Sequence, residues 1–460
     1  MNSSTQLAIP VSSKHSVSIP DVLELQTRSV RNLIWLYLLL WLIEGGLRRW
    51  FLPGLATPLL LVRDPLVLAI YGLALSRNLF VINAFISGGL LLALLCVLNA
   101  LLLGHGNLAI ALYGARCDFL HVPLIFIMGR VLRQKDILAL TKIGVWLAIP
   151  YTLLLMAQFY SPQDAWVNRG VGGSDGAGFS GALDRFRPPG TFSFITGTAE
   201  LYPLFTACWF GSLLLGSAPM WLMTLSGLSI LVAIPVSISR SLFLSVAVVA
   251  LVGGGMLLVG RRLSLGMVLK FSFAAAIIAL MASQLPAFKD GMEAFNARWE
   301  GSTVEEGGFK SSILDRFLHD LTDSFTQVHD SGLGTGFSTN VGQKILTSDV
   351  GFGASESEWG RLLYDNGVIL GTLLVAYRVS LTVFLLLASV RGWRQGSLLG
   401  PLFAAAGGLL WLSGQWGQPT TLGSAVICGG LTLAASSPPP PSESDAEAFP
   451  APAINGYAPS

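Results

Sequence analysis

Charge is what this chain has least of. Asp, Glu, Lys and Arg together make up 12% of its 460 residues, about half the share carried by an ordinary soluble domain. A water-facing surface cannot be covered with so little, so lipid is the expected solvent for much of the chain. Histidine and cysteine are also scarce, with five and four copies. None of them cluster at metal-ligand spacing, which leaves no expected metal and no cofactor. Cys96, Cys117, Cys208 and Cys428 fall inside apolar stretches, so they read as small buried hydrophobes and not as a disulfide framework. No basic run or basic-aromatic pattern occurs, which argues against nucleic acid as a partner. The formal net charge of +2 says less than where the charges fall.

Apolar runs are abundant: 52% of residues are hydrophobic and mean hydropathy is +0.64. Stretches long enough to span a bilayer recur near 33–51, 58–76, 79–103, 107–129, 136–160, 196–216, 220–237, 241–260, 265–284, 366–390, 398–415 and 419–435. They predict an all-α, polytopic transmembrane bundle of about twelve spans. No small-residue cleavage pattern follows the first apolar run, so it reads as an uncleaved span. Three parts result. Residues 1–31 form a polar cytoplasmic N-terminus, 32–435 the membrane domain, and 436–460 a Pro/Ser-rich disordered cytoplasmic tail. Two long polar segments, about 161–195 and 285–365, interrupt the membrane domain, and loops of such length are usually functional. In the second, Leu314, Phe317, Leu318, Leu321 and Phe325 recur at helical spacing behind Ser312 and Asp315, the pattern of a capped amphipathic helix.

Arginines and lysines in the short turns set the orientation. Arg77, Arg130, Arg133, Lys135, Arg261, Arg262, Arg391 and Arg394 share one side, which the positive-inside rule makes cytoplasmic. Both termini then lie inside and both long loops outside. Arg48, Arg49, Arg63, Arg116, Arg185, Arg187 and Arg240 are left on or near the outer side. An arginine within the bilayer costs about 2.5–3.5 kcal/mol on insertion scales, so each needs a partner or a task. Local pairing of Arg63 with Asp64 and of Arg116 with Asp118, or snorkelling to headgroups, is the structural explanation.

Four segments carry candidate chemistry. Arg185-Phe186-Arg187-Pro188-Pro189-Gly190-Thr191-Phe192 places two arginines above a span with a rigid turn behind them, suited to gripping an anion or anchoring to headgroup phosphates. Ser239-Arg240-Ser241 strands a cation in a short turn. Gly332 to Phe337, Gly-Leu-Gly-Thr-Gly-Phe, mimics a phosphate loop without its strand, so its glycines are expected to serve a tight turn. Glu356 and Glu358 precede a span, where a carboxylate acts as a general base or merely favours the helix dipole.

In their order and topology these segments resemble the O-antigen ligase and O-antigen polymerase superfamily of bacterial surface-polysaccharide assembly. The resemblance rests on the element from Arg187 to Phe192, Ser239-Arg240, Gly332 to Gly336, and the stretch from Glu356 into the following span, and covers about 107–390. At the place where ligases of that group have a histidine, this chain has Glu356, leaving a polymerase, a ligase of another glycan or a catalytically altered relative. The resemblance implies metal-independent glycosyl transfer from an undecaprenyl-pyrophosphate-linked glycan to an acceptor glycan or glycolipid, with membrane lipids and other assembly proteins as partners. It implies Arg187 and Arg240, supported by Arg185, as diphosphate ligands, and Glu356, or in its place Glu358, as base. A transporter or flippase of lipid-linked glycan and a non-catalytic assembly subunit are the competing expectations.

Overall fold

The computed structural model describes residues 19–174, 181–259, 280–305, 331–346 and 357–437. Among them the regular elements are helices and no strand occurs. Backbone polar groups inside an apolar run can be satisfied only within the run itself, and the helix does that. The order is α1 (Ile19–Gly46), α2 (Ala56–Leu59), α3 (Arg63–Ser76), α4 (Ala84–Leu102), α5 (Leu108–Ala115), α6 (Val122–Val131) and α7 (Gln134–Tyr160). After the first long polar segment come α8 (Ile195–Leu215), α9 (Met220–Val236), α10 (Arg240–Val259) and α11 (Pro286–Glu305). Then follow α12 (Asn340–Leu346), α13 (Glu358–Arg394), α14 (Gly400–Ser413) and α15 (Pro419–Ser436).

Starts are set by side-chain caps. The Asn83 carboxamide oxygen accepts from the Phe85 and Ile86 amides, and Asn107 does the same for Ala109 and Ile110. Close packing relies on small residues, as expected where lipid offers no hydrophobic drive between helices. A Cβ on Gly144 would lie 2.6 Å from the Cys208 sulfur, and one on Gly430 2.6 Å from the Met128 Cβ. These contacts bring α7 onto α8 and α6 onto α15. All four cysteines are free and buried.

Six described helices are long and apolar enough to cross a membrane: Thr27–Phe51, Ala84–Leu102, Leu108–Val131, Gln134–Tyr160, Arg240–Leu258 and Glu358–Arg394. The segment expected as a second span is two helices, Pro53–Leu59 and Arg63–Ser76, bent by 41°. Met220–Val236 and Gly400–Ser413 are apolar but shorter. The segment 285–365 is not all loop, since α11 occupies its start. The amphipathic pattern at 314–325 and the apolar run at 265–279 lie outside the described residues, as do 1–18 and 438–460. Two single π-helical turns, Leu47–Phe51 and Arg116–Leu120, interrupt the spans. Both carry arginines, and π-turns are common where a helix must re-aim functional side chains.

Candidate functional site

The element around Arg187 is pinned from several sides. Gly190, at φ +62°, turns the chain. Its amide donates to the Gln158 side-chain oxygen at 2.8 Å, and its carbonyl accepts from the Gln158 amide at 3.0 Å. The Thr191 amide donates to the Tyr151 hydroxyl at 3.1 Å, and the Thr191 hydroxyl donates to the Leu42 carbonyl at 2.6 Å. Gly45 of α1 sits so close that a Cβ there would meet the Thr191 carbonyl oxygen at 2.5 Å. Arg49, fully buried, donates to the carbonyls of Gly190, Phe192, Arg169 and Val167 at 2.6–3.3 Å. Arg49 is therefore a strut for the Pro-Pro-Gly-Thr-Phe turn. Satisfying four carbonyls is what makes a buried guanidinium tolerable there.

Arg240 opens α10 just after a strained residue. Ile238 is completely buried and has φ +47°, a conformation that is an outlier for a β-branched side chain and that clusters at functional sites. The Ser239 and Ser241 hydroxyls bond to each other at 3.0 Å, and Ser239 also caps the Leu242 amide. Across this turn lies α11. A Cβ on Gly291 would approach the Val236 amide nitrogen at 2.9 Å. Phe243 of α10 meets Phe295 and Trp299 of α11 at centroid distances of 6.2 and 6.4 Å. Tyr160, at the end of α7, donates to the Asp290 carboxylate at 2.7 Å. These contacts fix α11 over the start of α10 and present Arg298 to the same region.

Arg187, Arg240 and Arg298 are electrostatically joined. Burial pushes the Arg187 guanidinium down to about 10, and the charges of Arg298 and then Arg240 push in the same direction. Cations gathered in a half-buried place destabilise one another, and an anion among them reverses the sign of that interaction. Arg185 is engaged elsewhere. It donates to the Phe159 carbonyl at 3.1 Å and lies over the rings of Phe159 and Tyr160 at 4.9 and 5.3 Å. Its role is in holding the loop to the end of α7.

The carboxylates divide. Glu356 lies outside the described residues. Glu358 is buried and accepts from the Arg361 Nε at 2.9 Å, from Arg378 at 2.5 Å and from the Trp416 amide at 3.2 Å. Arg361 also pairs with Asp118 at 2.5 Å and approaches Asp365 at 3.7 Å. Asp365 in turn accepts from the Ser338 hydroxyl and from the Ser338 and Gly336 amides at 2.6–3.2 Å. The glycine-rich stretch is thus a turn wrapped on a protein carboxylate. Gly332, Gly334 and Gly336 all have positive φ, and the Leu333 and Gly334 amides donate to the carbonyls of Tyr364 and Asp365. Those contacts meet α13 where it breaks, at Gly367 with φ 75° and ψ 176°.

The local pairs expected from the sequence are exchanged for longer-range ones. Arg63 pairs with Glu44 at 2.9 Å, not with Asp64, and also donates to the Pro419 carbonyl at 2.6 Å. Asp64 takes a bidentate bond from Arg116 at 2.7 Å on each oxygen, plus the His121 Nε2 at 3.0 Å. His121 continues to the Tyr37 hydroxyl at 2.9 Å. Neighbours one or two apart on a helix point to different faces, so Arg63–Asp64 and Arg116–Asp118 could not close as pairs.

Sequence reasoning did not reach Arg298 or Glu200, and it singled out Arg49 without its partners. Glu200 lies buried in α8 and accepts from the hydroxyls of Thr421 and Ser424 at 2.5 Å. An acid in the middle of an apolar run was the signal for it. Among the described residues no group of His, Cys, Asp and Glu has the geometry of a metal site. Comparison of the sequence with models of known protein families and with curated proteins finds no match.

Proposed function

We propose that the chain is a multi-pass protein of a bacterial inner membrane that transfers glycan from an undecaprenyl-pyrophosphate-linked donor to an acceptor sugar hydroxyl at the periplasmic face. The full reading has about twelve spans, with both termini in the cytoplasm. The observation that carries it is that the charges of Arg298 and Arg240, from two other segments, reach the half-buried Arg187 guanidinium. A pyrophosphate leaving group gains charge as its bond to the anomeric carbon breaks. Pre-placed guanidiniums stabilise that charge with little reorganisation. Arginine also suits the task because its planar fork matches phosphate oxygens.

In the proposed step the acceptor oxygen forms a bond to the anomeric carbon. The bond from that carbon to the diphosphate oxygen breaks, and the lipid diphosphate departs on the arginines. The hydroxyl proton passes to a carboxylate. Glu356 takes that role in this account. Glu358 is assigned instead to holding Arg361 and Arg378, since its oxygens are already engaged by both. The test is Arg187→Ala alongside Arg187→Lys in membranes that carry out the reaction. Long polymer is expected to disappear in the first, with short lipid-linked units accumulating, and to be partly retained in the second. Unchanged polymer from Arg187→Ala at normal protein level would refute the assignment.

A transporter of lipid-linked glycan is the second reading. It is favoured by one feature, the break of α13 at Gly367 next to buried Asp365, because discontinuous helices with buried charge are common in carriers. Reconstituted vesicles separate the two. Movement of labelled lipid-linked glycan across the bilayer without any glycosidic bond formation supports transport and excludes the enzyme.

A further inference from the structure

We propose that the end of the bundle remote from the arginine cluster carries a binding site for an anionic phospholipid. A cleft of about 470 Å³ opens there, lined from four directions. The linker 79–83 and the first turn of α4 form one wall, and the last turns of α6, α13 and α15 form the others. Its volume lies within the range of small-molecule sites, about 300–1,000 Å³.

The lining is divided in the way a lipid is divided. Phe80, Ile86, Phe126, Phe384 and Leu433 make the interior apolar, with Phe126 close to Phe384 and stacked on Phe85 at centroid distances of 6.1 and 6.0 Å. Arg130 and Arg391, with Asn83 and Gln395, form the polar part, and among the described residues no acid lines the cleft. Both guanidiniums are exposed, and neither has an acidic partner among the described residues. The Asn83 oxygen is occupied by capping α4, so its amide N–H groups are the part left to face a ligand.

The surroundings settle which anion fits. Ile82 and Leu387, 69% and 49% exposed, are the immediate sequence neighbours of lining residues Val81, Asn83 and Ala388, and such exposed apolar side chains face lipid in a membrane protein. A free phosphate has no use for the aromatic interior. A soluble metabolite would have to enter past side chains that prefer lipid. A single phosphate on a glycerol, with one acyl chain along the Phe126–Phe384 wall, uses both halves. Basic pockets between helix ends on the positive side of a membrane protein bind lipid headgroups in this way.

The test titrates delipidated protein in detergent with phosphatidylglycerol or phosphatidylcholine and counts adducts by native mass spectrometry. One phosphatidylglycerol is expected to bind saturably, about tenfold or more tighter than phosphatidylcholine. Arg130→Gln/Arg391→Gln is expected to abolish that preference. Arg394→Gln, a cation of the same end outside the cleft, is expected to leave it. Equal affinity of the wild type for the two lipids would overturn the site, and that arm needs no variant. Equal loss from Arg394→Gln would reduce it to general attraction and overturn it too. Displacement of the lipid by millimolar inorganic phosphate would show a phosphate site and not a lipid site.

Discussion

Glu358 and Arg378 stand twenty positions apart in one helix, yet their side chains meet at 2.5 Å. A straight helix would separate them by about 30 Å. The break at Gly367 folds the first turns of α13 back along the rest; Arg361 pairs with both Glu358 and Asp118, and the Trp416 amide donates to Glu358, which closes the fold-back. The approach of the α13 start to the α14–α15 connection is therefore held by charge.

That arrangement makes Glu358→Gln a stability variant. It leaves Arg361 and Arg378 buried with one negative partner fewer, and breaking a buried pair costs about 3–5 kcal/mol. Thermal unfolding in detergent is expected to show a large fall in Tm, with pyrophosphate affinity unchanged in the fraction that stays folded. An unchanged Tm with activity lost would return Glu358 to the role of base.

The glycine turn makes a second, independent prediction. Gly332 has φ +72°, and a Cβ there would lie 2.3 Å from the Gly367 amide nitrogen. Gly332→Ala is expected to destabilise by at least about 2 kcal/mol, from the left-handed conformation and the clash together. Gly408→Ala in α14, where a Cβ meets nothing within 4 Å, is expected to be neutral or to stabilise by up to about 1 kcal/mol. Similar Tm shifts in the two variants would contradict the tight turn.

Much of this was legible in the sequence, and the limits have physical causes. The helical class followed from apolar run length, and Arg187 and Arg240 stood out because a cation on the wrong side of an apolar chain is expensive. Arg298 did not stand out. It sits among Lys289, Asp290, Glu293 and Glu300, where one more charge is ordinary. The pairing of Arg63 was misplaced because adjacency in sequence is not adjacency on a helix surface. Its partner Glu44 lies in a different helix, where no local rule reaches. The break at Gly367 was hidden because the expected span began near 366 and 285–365 was read as a polar loop, which left no place for a helical turn before Gly367.

Burial and the charges of Arg298 and Arg240 make the Arg187 proton the easier one to lose on folding. Its folded value, about 10, is below that of an ordinary arginine, so the folded chain gives up this proton first. Above about pH 10 and up to the ordinary value, the unfolded chain binds more protons. The contribution of this group to stability therefore rises with pH in that window and is flat below it. Anion binding runs the other way, because it needs the charge. Protection by pyrophosphate against thermal unfolding is expected to hold from pH 8 to near 10 and to decline above. Protection that stays constant to pH 11 would show that the Arg187 guanidinium keeps its charge well above pH 10.

The most direct measurement is the affinity of the purified protein for undecaprenyl diphosphate, compared with Arg187→Gln, Arg240→Gln and Arg298→Gln singly and together. Each single change is expected to weaken binding by about 10- to 100-fold, the worth of one charged hydrogen bond, and the triple change to abolish it while the protein stays folded. Undiminished affinity in the folded triple variant would contradict the account.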